Sequence, residues 1–148
     1  MSSNDYNLLV YDGRTELYDP TKVTYGYYIS SAGAMSSDHT SMASDYIPVT
    51  PGATYTWIGK SSKAGTNNKR VVGYTSNTAT TGTAINAVAV TGMNIDYTNT
   101  FTVPSNMTYV RLSLNVGDRD VSLTLGNAAP NLSWKKFVEA NATITVPE

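Results

Sequence analysis

Residues 108–116 read "TYVRLSLNV", and they alternate apolar and polar side chains without interruption. A period of two places Val110, Leu112, Leu114 and Val116 on one face and Tyr109, Arg111, Ser113 and Asn115 on the other. No helix sorts side chains that way, so this stretch is a strand with an apolar inner face and a polar, hydrogen-bonding one. The chain around it repeats the theme. From Val23 onward come "VTYGYYIS", "SDYIPV", "ATYTWIG", "KRVVGYTS", "AINAVAV", "YTNTFTV", "VSLTLG" and "ATITV", divided by turn formers such as "SAGAMSS", "TPG", "KAGTNN", "NTATTGT", "PSN" and "VGD". Short β-type runs at even spacing predict an all-β, antiparallel sandwich of about eight strands.

The same parity assigns other faces. Tyr97, Asn99, Phe101 and Val103 share an inner face, as do Val121, Leu123 and Leu125. In "SDYIPV", Asp45, Ile47 and Val49 point inward and Tyr46 and Pro48 outward. Pro48 lacks a ladder donor, which puts its strand at an edge or at a bulge. Tyr55 and Trp57 share one face of their strand, and parity does not say whether that face is the inner one. "VTPGATYTW" and "VPSNMTYVR" each run Val, Pro, a small turn and Thr-Tyr, which suggests two comparable turns in a two-sheet fold. Residues 1–20 read as an irregular N-terminal arm or linker, and 21–148 as the sandwich domain. "NLSWKKFVEANA" fits the helix period better than a strand's. A short C-terminal helix there, with Asn131 or Ser133 as cap and Trp134 and Phe137 packed on the sandwich, stands level with an irregular tail.

Composition narrows the chemistry. The chain has no Cys, which removes thiol nucleophiles, Cys-ligated zinc and disulfides together. Its net charge is −1 and 14% of its residues are charged, against a typical ~25%. A phosphate-tracking basic stripe is therefore missing, and "KRV" with Lys60 and Lys63 reads as solvated loop charge rather than a nucleic-acid surface. No apolar run reaches the ~20 residues needed to span a membrane. The opening "MSSNDYNLLVYDG" lacks the basic start and long apolar stretch of a signal peptide. His39 is the single histidine and sits with Asp38 in "SSDHTS", which reads as a loop with no nucleophile-elbow pattern. Nucleotide-binding and zinc-protease motifs are absent. Asp118 and Asp120 in "GDRD" could serve a glycan hydrolase, but a hairpin turn explains them. Their oxygens are also of the type calcium takes, and no other cofactor is suggested.

What remains is a set of aromatics on polar faces. Tyr28, Tyr55, Trp57, Tyr74 and Tyr109 share faces with Thr, Ser, Asn or Arg. Saccharides present an apolar C–H face and a hydroxyl rim, so a rigid ring beneath and planar hydrogen-bonding groups at the edge suit them. For each such aromatic, capping a core with its polar atom at the surface is the commoner role.

From Val23 to about Gly126 the chain resembles the jelly-roll carbohydrate-binding modules on tail and baseplate proteins of phages that infect Gram-positive bacteria. The resemblance rests on the order of "TKVTYGYYISSAG", "SDYIPVTPGATYTWIG", "KRVVGYTSN", "TFTVPSNMTYVRLSLNV" and "VSLTLGN". It implies a non-catalytic module of the virion that adheres to host cell-wall or cell-surface saccharide. Cytoplasmic assembly and release by lysis would fit the lack of a signal peptide and of Cys. By position, Tyr74 ends the strand before the "TSNTATTGT" loop and Arg111 lies on the strand opposite. Thr75 and Ser76 stand where an acidic residue commonly follows that Tyr. The expected ligand residues are Trp57 or Tyr74 for stacking, and Arg111, Asn115, Asp38, His39 and Asp118 for hydrogen bonds. Partners would be the saccharide, other virion proteins and further copies of the chain. The competing reading is a structural virion protein, a decoration or tail component, whose aromatic face builds a homo-oligomer such as a trimer.

Overall fold

The computed structural model describes residues 10–133 apart from 12, together with 135, 136 and 139. Its strands in chain order are β1 (Val10–Tyr11), β2 (Arg14–Thr15), β3 (Val23–Ile29), β4 (Met35–Ser44), β5 (Ile47–Pro48), β6 (Thr54–Lys60), β7 (Gly65–Tyr74), β8 (Thr83–Val90), β9 (Asp96–Thr102), β10 (Tyr109–Asn115) and β11 (Arg119–Leu125). The larger sheet runs β3-β4-β10-β7-β8, with β5 also paired to β10, and the smaller runs β11-β6-β9. Neighbours within both sheets are antiparallel. The β-sandwich predicted from the spacing of the runs is the fold observed.

The principal core lies between the sheets. Met42, Val71, Val110, Leu112 and Leu114 meet Tyr55, Trp57, Tyr97, Phe101 and Leu123 there. Parity thus places the inner residues of β9 and β10 correctly, and Tyr55 and Trp57 face the core. Tyr55 stacks on Phe101 at 5.9 Å between ring centres, and Trp57 meets Tyr97 edge to face at 5.7 Å. Large side chains buried this way contribute roughly 1.5–3 kcal/mol each. Val116 and Leu125 are exceptions: each lies at or past a strand end and is exposed.

A second, smaller core covers the outer face of the larger sheet. Ile29, Ala43, Val72 and Tyr74 form it, with Met35, Tyr46, Ala79 and Tyr109 packed against them. The β3–β4 hairpin folds over that face and is pinned by hydrogen bonds. Ile29 N–H donates to Ser113 Oγ at 2.9 Å, Arg70 Nη1 to Ile29 O at 3.0 Å and Tyr74 O–H to Gly33 O at 2.8 Å. The tip also accepts from Gly82 N–H and Ala84 N–H. β10 is therefore covered on both faces, and its polar side, Arg111, Ser113 and Asn115, is buried as well.

Pro48 behaves as its missing donor requires. From Ala43 to Ile47 the chain advances four residues while β10 advances three, from Ser113 back to Val110, so β4 and β5 form one strand broken by a bulge. The bulge turns Asp45 outward, against the inward position parity gave it, and Tyr46 onto the second core. The two Pro turns lie side by side, with Val103 N–H donating to Ala53 O and Gly52 N–H to Val103 O.

The sandwich begins ahead of residue 21. Tyr18 belongs to the principal core, Leu17 N–H donates to Leu123 O, and Glu16 Oε2 accepts from Leu123 N–H at 2.7 Å. A short helix is present near residue 132, where Lys135 N–H donates to Asn131 O. Trp134 and Phe137 fall outside the described residues. No helix among the described residues is long and apolar enough to cross a membrane.

Candidate functional site

The two aromatics expected to stack on a ligand are enclosed. Trp57 has no exposed surface and Tyr74 retains 1%. Tyr74 lies 5.1 Å from the Tyr46 ring, and burial pushes its hydroxyl up to about 12. Neither ring offers a face to a sugar. Arg111 is also committed: its Nε donates to Ser44 O at 2.9 Å, and its guanidinium lies 4.6 Å over the Tyr46 ring. These three residues hold the two cores rather than line a site. Stacking capacity lies elsewhere, on the hairpin that parity could not position.

Polar groups do converge beneath one end of that hairpin. Lys69, on β7, reads with its neighbours as solvated charge; its side chain is instead wholly buried against the equally enclosed side chain of Asp118. Desolvation lowers the Lys69 pKa, and hydrogen bonding and charge attraction from Asp118 oppose that. Asp118 Oδ2 also accepts from Tyr97 O–H at 3.0 Å, and its Oδ1 accepts from Ser62 N–H at 2.8 Å. Lys69 Nζ donates to Asn115 Oδ1 at 2.9 Å, and Asn68 Nδ2 donates to the same oxygen at 2.7 Å. Asn115 Nδ2 donates to Thr40 O. Asp118 and Asn115 are thus brought together as parts of one buried polar network.

Above the network lies a groove of about 280 Å³. The hairpin supplies Tyr28, Asp38 and Ser41; the β6–β7 connection and β7 supply Lys63, Asn68 and Arg70; Ser113 and Asn115 of β10 form the floor. Register explains the set. Arg70 sits opposite Ser113 across the β7–β10 ladder, and Ser41 sits opposite Asn115 across the β4–β10 ladder. Tyr28 is 37% exposed, so its ring has a face available. Asp38 Oδ1 accepts from Thr40 N–H at 2.9 Å and Thr40 O–H at 2.8 Å, and Oδ2 from Ser41 O–H at 3.1 Å. The Thr40 bonds hold its pKa below the usual carboxylate value. Lys63 Nζ donates to Thr40 Oγ1 at 3.0 Å on the same rim. His39, exposed on β4, does not line the groove, and neither Asp38 nor His39 lies in a loop.

Of the expected ligand residues, then, Asp38 and Asn115 reach this groove and Asp118 lies just below it. Lys63, Asn68 and Arg70 were not anticipated. For Asn68 and Arg70 the signal was the alternation along "NNKRVV", which places both on one face of β7 and Lys69 on the other.

A larger hollow of about 730 Å³ opens between β3–β4 and β11, but its acids are engaged. Glu16 accepts two backbone N–H groups, although burial still raises its pKa, and Asp120 faces Lys136 at 3.4 Å. Asp118 and Asp120 point to different partners and form no shared carboxylate pair. Among the described residues no group of three or more His, Asp or Glu is gathered to hold a metal ion.

No family model and no curated protein matches this chain. Among solved structures it is similar to the K3 cleaved adhesin domain of Lys-gingipain (Kgp) from Porphyromonas gingivalis w83. The identity is 16% over 69% of this chain and 72% of that chain, with a TM-score of 0.33.

Proposed function

We propose that this chain is a non-catalytic adhesion module that holds a saccharide in the groove beneath the β3–β4 hairpin. The observation that carries the reading is the half-exposed Tyr28 ring on one groove with Asp38, Lys63 and Arg70. A ring for the apolar face of a sugar and planar groups for its hydroxyls is the combination such ligands need. The groove is small enough to take one or two sugar units, so each site binds weakly and many copies supply the avidity. Display on a phage particle, towards the wall or surface polysaccharide of a Gram-positive host, fits the order of strand segments in the sequence.

The test is a pull-down of host cells or purified wall with a fluorescent, multimerised fusion. Binding that is lost in Tyr28→Ala and Arg70→Gln supports the reading. Failure of the multimer to bind any wall preparation overturns it.

A second reading, a structural virion protein that assembles through an aromatic face, draws on Tyr25, Tyr27 and Tyr28, all exposed along β3. Light scattering separates the two: Tyr25→Ser with Tyr27→Ser dissolves an oligomer under the structural reading and leaves wall binding intact under the adhesion reading.

A further inference from the structure

A fully buried lysine is rare, and here the ammonium touches a side-chain amide and a carboxylate at once. Lys69 Nζ lies 2.9 Å from Asn115 Oδ1 and 2.5 Å from Asp118 Oδ2, with the Tyr97 ring 5.1 Å away on another side. The three residues come from β7, the end of β10 and the turn after it. Neither Lys69 nor Asp118 exposes any side-chain surface.

We propose that Lys69 and Asn115 join through an intramolecular isopeptide bond, with Asp118 as the proton carrier and ammonia as the leaving group. Asp118 Oδ2 accepts a proton from Lys69 Nζ, which frees the nitrogen lone pair. That nitrogen attacks Cγ of Asn115, and the amide oxygen takes up negative charge as the new C–N bond forms. Asn68 Nδ2, already donating to that oxygen at 2.7 Å, is placed to stabilise the charge. Nζ gives up a second proton, the departing nitrogen gains one proton through Asp118, and the old C–N bond breaks. The sum is an amine and a primary amide giving a secondary amide and ammonia. Counting every proton, neutral ammonia departs and Asp118 keeps one proton as a carboxylic acid, so neither buried side chain is left with an unpaired charge.

The arrangement favours the step on three physical grounds. Held neighbours react with effective molarities far above any solution value. Desolvation lowers the Lys69 pKa, which favours the neutral, nucleophilic amine. The product, with Asp118 protonated, replaces a buried ion pair by neutral groups, whose desolvation costs less. Asp118 is held for its part by Ser62 and Tyr97, and its Oδ2 also lies 3.4 Å from Asn115 N. The bond would tie β7 to β10, adjacent strands of the larger sheet, directly under the groove.

Intact mass spectrometry of the purified, denatured full chain tests this without any variant having to fold. The expected result is a mass short of the sequence by one ammonia, with a branched tryptic peptide joining the Lys69 and Asn115 segments. Lys69→Met and Asn115→Ala, corrected for their substitutions, should carry the full mass. Asp118→Ala should carry it too, and persistence of the ammonia loss there overturns the proton-carrier role. Full mass in the unsubstituted chain overturns the bond altogether. Loss of one water with a Lys69–Asp118 branched peptide overturns the assignment of Asn115 as the acceptor.

Discussion

Lys69 Nζ lies 2.5 Å from Asp118 Oδ2, with both side chains wholly removed from solvent. Removing one member strands the other as an uncompensated buried charge or breaks its cross-link, so Asp118→Ala should cost about 3–5 kcal/mol. Urea denaturation of the two single variants and of Lys69→Met with Asp118→Leu provides the measure. The double variant is expected to recover part of the loss, because the apolar pair leaves no charge behind.

Trp57 is a core residue, so its loss should be felt in stability rather than in ligand contact. Trp57→Ala is expected to cost about 3–5 kcal/mol, and Trp57→Phe clearly less, since the phenyl ring refills part of the space against Tyr97. Thermal unfolding followed by circular dichroism reads both.

Tyr28 should behave in the opposite way. Its ring is exposed at the groove, so Tyr28→Ala should change stability by no more than about 0.5 kcal/mol. Wall binding should fall about tenfold, equivalent to roughly 1.4 kcal/mol. A Tyr28 variant that unfolds the protein, or one that binds undiminished, contradicts this placement.

Asp38 gives the groove a pH dependence with a definite sign. Its folded pKa lies below the ordinary value of 3.8, so its contribution is fully present above pH 3.8. That contribution is lost as pH falls through the lower folded value. Asp38→Asn should remove this part of the acid-side loss, which melting temperatures between about pH 5 and about pH 2 will detect.

Strands were legible wherever one face was apolar. "TYVRLSLNV" and "YTNTFTV" declared their inner residues because alternation is the signature of a surface buried on one side. The same logic failed where both faces are covered. Arg111 and Asn115 read as an open polar face, yet Tyr46 covers the first and the β3–β4 hairpin the second, and nothing local in "SAGAMSSDHTS" announces a hairpin folded back over its own sheet. Trp57 was ambiguous for a related reason: Thr56 and Ile58, on the opposite face of β6, are buried too. Lys69 was misplaced because burial of a lysine depends on Asp118, forty-nine residues further along, which no window on the sequence brings near. The groove is accordingly a product of tertiary folding, with Tyr28 and Asp38 contributed by the β3–β4 hairpin and Arg70 by β7.

The outermost strand of the larger sheet, β3, carries Gly26 at a φ of 86° between Tyr25 and Tyr27, where its pairing with β4 slips register. A smooth outer strand of this length would be a template on which foreign strands could lengthen the sheet without limit. The kink interrupts that template partway along, so an incoming chain loses its ladder after a few residues. One glycine thereby guards this edge of the sheet against pairing with the strand of another chain.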